Sequence, residues 1–280
     1  MLTSEPRLVA LDLDGTLLDP SGAVTNRARG AVRALQDAGV RVVIATGRSP
    51  WSAAPIARAL GLAGPQILMQ GGLIADPEGG EACWSARQPE ALVLEELAFA
   101  REHAAVPILG FHEGYRALPL DPEVLELSWP TYGEGAHLRI VDSLEAAAAD
   151  GPIRTFLFTS PLRHRAVADA AIRQFGDRAS ITWGDEFGIE LLAAGVSKGA
   201  ALRRVAGRAG IPMAAVAAVG DGRNDLEMLA VAGHSAAMST ASAPVRATAQ
   251  MVVPANGDEG ALLALASWFP WLPDAISEAA

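Results

Sequence analysis

Residues 8–20 read LVALDLDGTLLDP. A short apolar run rich in Leu and Val ends in two carboxylates, Asp12 and Asp14, one residue apart, and Gly15 and Thr16 follow at once. The run is a buried strand of the kind that parallel sheets use, continuously apolar because both faces are covered. Paired acids at the end of such a strand need a chemical reason, since burial of a carboxylate is unfavourable unless something compensates it.

Outward from this strand the pattern repeats. Residues 23–39, AVTNRARGAVRALQDAG, place apolar side chains at helical spacing and stop on Gly39. VRVVIATG (40–47) is a second buried strand, PWSAAPIARALG (50–61) a second helix and PQILMQGG (65–72) a third strand. The alternation returns late in the chain. VSKGAALRRVAGRAG (196–210) is a helix with Ser197 as N-cap, MAAVAAVG (213–220) a strand and DGRNDLEMLAVAG (221–233) a helix start. HSAAM, QMVVP and a helix after Asn256 complete it. Two βα blocks, residues 1–80 and 187–280, are expected to form one α/β, doubly wound parallel sheet.

Residues 81–186 read differently. Aromatic residues are denser there, and strand signals (PILGF, IRTFLF, ASITW) interleave with helical runs such as PEALVLEELAFAREH and LRHRAVADAAIRQF. The expectation is an α+β domain inserted into the first. His112, Tyr115, Arg116 and Tyr132 in this segment are candidates for substrate contact, but such residues are more often core or surface, and none is named as a site residue.

Composition bounds the function. The chain has 280 residues, 50% hydrophobic and 19% charged, enough for a packed core. Its net charge of -10 argues against a nucleic-acid or anionic-membrane partner. A phosphorylated substrate would have to be attracted by a metal ion or a local basic group. Cys83 is the only cysteine, which excludes an internal disulfide and a cysteine zinc site. The chain shows neither a basic, apolar leader nor an 18-residue apolar run, so a cytoplasmic protein is expected. Lys198 is its only lysine; every other basic residue in the Lys+Arg total is arginine.

In a doubly wound sheet, ligands bind beyond the carboxyl ends of the strands. Four polar clusters fall there: Asp12 and Asp14; Thr46, Gly47 and Arg48; Lys198; and Asp221, Asn224 and Asp225. Asp12 and Asp221 can each give an oxygen to a hard cation such as Mg²⁺. The cation would relieve repulsion between neighbouring carboxylates. A carboxylate can attack phosphorus to form an acyl-phosphate. Asp14 is placed to protonate the leaving alkoxide and then to take a proton from water. Gly15 lets the chain turn, and the hydroxyls of Thr16 and Thr46, with the Gly47 amide, can hold phosphoryl oxygens. Lys198 is a compact charge where a planar guanidinium would not fit. Asp225 reaches the metal through water, or orients Lys198 together with Asn224, or caps the helix that follows. A calcium loop is excluded, because Leu17 and Ala23 stand where that motif requires glycine and glutamate.

In this order, DLDGTLL, ATGR, SKGAAL and GDGRNDLEML resemble the motifs of the haloacid dehalogenase superfamily, and the insertion between ATGR and SKG is similar to the type-II cap of its Cof-type members. The resemblance implies a Rossmann-like core and a cytoplasmic Mg²⁺-dependent phosphomonoesterase that acts on a small phosphorylated metabolite as monomer or homodimer. Asp12 would be the nucleophile, and Asp14 the general acid/base and a metal ligand through its backbone. Thr46, Gly47, Lys198 and Asn224 would bind phosphate, and Asp221 and Asp225 would complete the metal site. Two departures from the family pattern stand out: Gln70 precedes Gly71 where the family has asparagine, and Ser239, Thr240 and Ala241 follow Met238 where it often has Gly-Asn-Ala. A phosphomutase using the same phospho-aspartate, or a catalytically silent binding protein, are the alternatives.

Overall fold

The computed structural model describes residues 5–79, 82–121, 137–183 and 188–273. It divides into two compact units, Met1–Glu81 with Ser197–Ala280, and Ala82–Val196.

The first unit is built on a five-stranded parallel sheet. In chain order it contains β1 (Leu8–Leu11), α1 (Asn26–Asp37), β2 (Arg41–Ile44), α2 (Pro50–Ala59), β3 (Gln66–Leu68) and β4 (Leu73–Ala75). The second unit then intervenes with β5 (Trp84–Ser85), α3 (Glu90–Glu102), β6 (Val106–Phe111), β7 (Gly114–Ala117), β8 (Leu138–Ile140), α4 (Leu144–Ala148), β9 (Arg154–Phe158), α5 (Pro161–Phe175), β10 (Ala179–Trp183) and β11 (Gly188–Ala193). The first unit resumes with α6 (Lys198–Arg208), β12 (Val216–Gly220), α7 (Leu226–Val231), β13 (His234–Met238), α8 (Ala243–Thr248), β14 (Met251–Val253) and α9 (Gly260–Trp268).

The parallel sheet has the order β14-β13-β12-β1-β2. Every residue of β1, β12 and β13 is buried, which is why β1 and β12 read as unbroken apolar runs. PQILMQGG does not extend this sheet as a full strand. β3 touches it only through the parallel bridge Ala45–Ile67 and pairs antiparallel with β4, because the chain reverses through a tight turn over Met69–Gly71. Among the described residues, no helix is long and apolar enough to cross a membrane.

The second unit carries a six-stranded sheet of order β10-β11-β9-β6-β7-β8, antiparallel except for β7 with β8. Phe99 of α3 and Phe175 of α5 pack in one cluster with Leu157, Ile189 and Leu191 of the sheet. The boundary expected at residue 187 is corrected here. β11 pairs with β9 and β10, so Gly188–Ala193 belongs to the second unit. GIELLA is a continuous apolar-flanked run, and by composition alone it is indistinguishable from a core strand. Of the four aromatic and basic residues singled out in this segment, Tyr115 is buried and accepts a hydrogen bond from Arg154, while Arg116 pairs with Asp150 and Glu113. Tyr132 lies outside the described residues.

One buried acid in this unit makes stability depend on pH. Glu96 of α3 is fully buried, and the Gln88 side-chain amide donates to both of its oxygens at 2.9 and 3.0 Å. Burial pushes its carboxyl up to about 7, against the pull of Thr155, Gln88 and Arg178 and with a further push from Glu95. The folded state therefore holds this proton more tightly than the unfolded chain. The stabilisation is complete below the ordinary value of 4.5, declines as pH rises and is lost above about 7. Glu96→Gln is expected to flatten that slope, which amounts to about 3 kcal/mol at most for a shift of this size. Denaturant melts of both proteins between pH 4.5 and 8 check it, and parallel curves would refute it.

Candidate active site

The parallel register brings the polar clusters together. Leu11, the last residue of β1, lies opposite Ile44 of β2 and Val219 of β12. The residues just beyond these three ends therefore share one edge of the sheet: Asp12 and Asp14, Thr46 to Arg48, and Asp221 to Asp225. Lys198 joins them from the first turn of α6, where Ser197 caps the helix by accepting from the Ala200 amide at 2.9 Å.

Lys198 is 1% exposed. Its ammonium donates to Asp12 Oδ1 at 2.6 Å and to Asp225 Oδ1 at 2.7 Å. The second oxygen of Asp225, Oδ2, accepts from the backbone amides of Asp221 and Gly222 at 3.0 and 2.9 Å. Both Asp225 oxygens are thus committed, and the residue is wholly buried. It makes no side-chain cap to α7, although it stands at the cap position. Its carboxylate turns back to brace the loop before it and the lysine beside it.

Asp12, Asp221 and Asp225 can bring one oxygen each within 4.8 Å of one another. Burial raises the Asp12 carboxyl well above the usual range, and the charge of Asp225 adds to this while Lys198 opposes it. Asp221 is raised for the same first reason, burial, and then by Asp225. The Lys198 ammonium is opposed by burial, but Asp12 and Asp225 outweigh that and raise it. One buried cation thus faces three clustered carboxylates. An oxygen-only donor set with excess negative charge fits a small divalent cation such as Mg²⁺.

The other polar residues are wired into this cluster. The Thr16 hydroxyl donates to Asp221 Oδ1 at 3.1 Å, a partner the sequence did not indicate. Gly15 has φ +77, and a Cβ there would stand 2.4 Å from Asp221 Oδ2. Only glycine allows β1 to turn away while Asp221 comes this close. Thr46 is buried, and its Oγ1 accepts from the Arg48 amide at 3.1 Å, so its hydroxyl proton can go to another acceptor. Asn224 does not reach Lys198; its Nδ2 donates to Gln70 Oε1 at 2.9 Å.

Arg48, placed in a polar cluster by the sequence, receives no role from it. Its Nε donates to Asp14 Oδ2 at 2.9 Å and its Nη2 to Asp14 Oδ1 at 2.6 Å, a two-pronged grip, and Nη1 reaches Ser52 Oγ at 3.3 Å. Asp14 is otherwise the most solvated of the four acids, its side chain 47% exposed. The signal for Arg48 was present in the ATGR segment, but pairing across 34 residues leaves no mark in spacing.

The comparisons with known proteins agree with this geometry. A profile of haloacid dehalogenase-like hydrolases matches residues 9–265. The chain is 30% identical to an HMP-PP phosphatase of Serratia proteamaculans, over 84% of each chain. It is 28% identical to the phosphatase YwpJ of Bacillus subtilis, covering 91% of this chain and 96% of that one. It also matches a chloroplastic endoribonuclease YBEY of Arabidopsis thaliana at 26% identity, over 89% of this chain but only 44% of that longer protein. A solved HAD subclass IIB sugar phosphatase, BT4131, superposes with a TM-score of 0.80 at 22% identity, over 94% of this chain and 98% of that one, and so shares the fold. With its motifs along one sheet edge and a second unit inserted between Arg48 and Lys198, the chain belongs to the haloacid dehalogenase-like hydrolase family.

Proposed function

We propose that this phosphatase hydrolyses phosphomonoesters of small metabolites, with Mg²⁺ as cofactor and a phospho-aspartate on Asp12 as intermediate. The observation that carries the proposal is the buried Asp12–Lys198–Asp225 cluster at the carboxyl edge of the parallel sheet, with Asp221 beside it.

In the proposed reaction a carboxylate oxygen of Asp12 attacks phosphorus, and the bond from phosphorus to the ester oxygen breaks. Asp14 gives its proton to the departing alkoxide. Asp14 then takes a proton from water, whose oxygen attacks the phospho-aspartate, releasing inorganic phosphate and restoring Asp12. Both Asp14 oxygens accept from Arg48 in this structure, so Arg48 must release at least one of them before Asp14 can carry the proton it gives up. Thr46, the Gly47 amide, Lys198 and Asn224 bind the phosphoryl oxygens. Asp225 positions Lys198 and the 221–222 turn rather than standing first in line for the metal. Asp12, Asp221 and the backbone of Asp14 would hold Mg²⁺, which would neutralise the charge gathered in this water-poor site. The net charge of -10 supports a small anionic substrate over nucleic acid or an anionic membrane, with Lys198 and the bound cation as the local attraction. The enzyme is proposed to be cytoplasmic and a monomer or homodimer.

The test is phosphate release from a panel of phosphorylated metabolites, with Mg²⁺ and with a chelator. Release from a few compounds, lost with chelator and restored by Mg²⁺, is the expected result. Release that persists in chelator overturns the metal requirement. Isomerised phosphate esters without stoichiometric phosphate would instead identify a mutase.

A further inference from the structure

Met69, Gln70 and Gly71 form a left-handed turn, with φ of 49, 59 and 88° in succession. Two of the three carry side chains, and L residues adopt this conformation only at a cost in free energy. Asparagine or glycine would suit position 70 better than glutamine does, since asparagine is several-fold enriched in left-handed backbone and glycine meets no barrier. A strained residue that persists where a relaxed one would fit is a reason to look at its side chain.

Each part of the turn touches a different piece of the site. The Met69 amide donates to the Arg48 carbonyl at 2.9 Å and the Gln70 amide to the Thr46 carbonyl at 3.1 Å, so the backbone clasps the Thr46–Arg48 turn from both ends. The Gln70 side chain lies over Gly47, where a Cβ would stand 2.4 Å from Nε2. Its Oε1 accepts from Asn224 Nδ2 at 2.9 Å. Gly71 packs against the start of α6, and a Cβ there would meet the Ser197 carbonyl oxygen at 2.2 Å.

We infer that Gln70 is a positioning residue that ties the Thr46–Gly47 turn to Asn224 and so sets the spacing of the phosphate-binding groups. The strained backbone holds a side chain that spans from Gly47 to Asn224. Asparagine has the same donor and acceptor but is shorter by a methylene, so from the same backbone it would draw back from one of these two contacts. The inference rests on the reading of this edge as a phosphate site.

The experiment compares wild type, Gln70→Asn and Gln70→Gly. Three quantities are measured: Tm, the inhibition constant of inorganic phosphate with Mg²⁺, and KM and kcat for p-nitrophenyl phosphate. Both variants should melt at or above the wild-type temperature, because the left-handed strain is relieved. Both should bind inorganic phosphate about tenfold more weakly, the 1.4 kcal/mol of one lost constraint. KM should rise in proportion and kcat should change by less. A merely structural residue would show the reverse, a lowered Tm with unchanged phosphate affinity. Phosphate affinity and KM within threefold of wild type in both variants overturn the role of Gln70 alone. Absence of phosphate binding and turnover in the wild type overturns the site reading and this inference with it.

Discussion

Asp12→Asn is expected to abolish turnover, by at least about 10⁴-fold, and to leave the fold intact. Asparagine matches the size of aspartate, and its carbonyl oxygen can keep the contact that Lys198 now makes with Oδ1 at 2.6 Å. What it lacks is the negative charge that attacks phosphorus. The fold should tolerate the change because burial already works against that charge, holding the Asp12 carboxyl above its usual range. Removing it also removes repulsion from Asp225 and Asp221. Tm in the absence of Mg²⁺ should therefore stay level or rise, while stabilisation by added Mg²⁺ should weaken. Steady-state kinetics with a thermal melt in each condition checks all three statements. Residual activity above about a hundredth of wild type would reject Asp12 as nucleophile, because the remaining binding and polarising groups do not supply that much turnover when a nucleophile is lost.

The parts of this protein that were legible in its sequence are those governed by local chemistry. β1 and β12 are buried along their whole length and β2 in all but Arg41, so each appears as an apolar run, and the polar residues that follow each run mark the carboxyl edge. The helix stop at Gly39 (φ +80) and the Ser197 cap are likewise decided within a few residues. The parts that were not legible depend on partners far away in the chain. Thr16 meets Asp221 across 205 residues, Gln70 meets Asn224 across 154, and each has a side chain equally able to serve a phosphate. Asp225 could bind metal, cap α7 or brace Lys198; the choice follows from where the 221–222 amides point after β12 ends. The strand Gly188–Ala193 was assigned to the wrong unit for a related reason: an apolar run states that a strand is buried, not which sheet buries it.

Lys198→Arg is expected to lose most of the activity, about 10²-fold or more, although charge is conserved. A single Nζ lies 2.6 Å from Asp12 and 2.7 Å from Asp225, inside a site that leaves it 1% exposed. An ammonium satisfies both from one point, whereas a guanidinium is a planar fork whose donors are fixed apart. The backbone cannot retreat to make room. Ser197 caps α6 just before the lysine, and Gly199 just after it sits so close to the Glu227 backbone that a Cβ would stand 2.6 Å from its carbonyl carbon. Arginine must therefore push Asp12 or Asp225 aside, and overpacking of this kind typically destabilises by about 1–3 kcal/mol. Lys198→Met separates charge from shape. It leaves Asp12 and Asp225 buried without their partner, an imbalance worth about 3–5 kcal/mol, so it should be the less stable of the two and the more strongly rescued by Mg²⁺. Melts of both variants with and without Mg²⁺, alongside kcat and KM, distinguish the two effects. Near-normal kcat in Lys198→Arg would show that the site accepts any buried cation, and that the only lysine in the chain stands there by composition and not by fit.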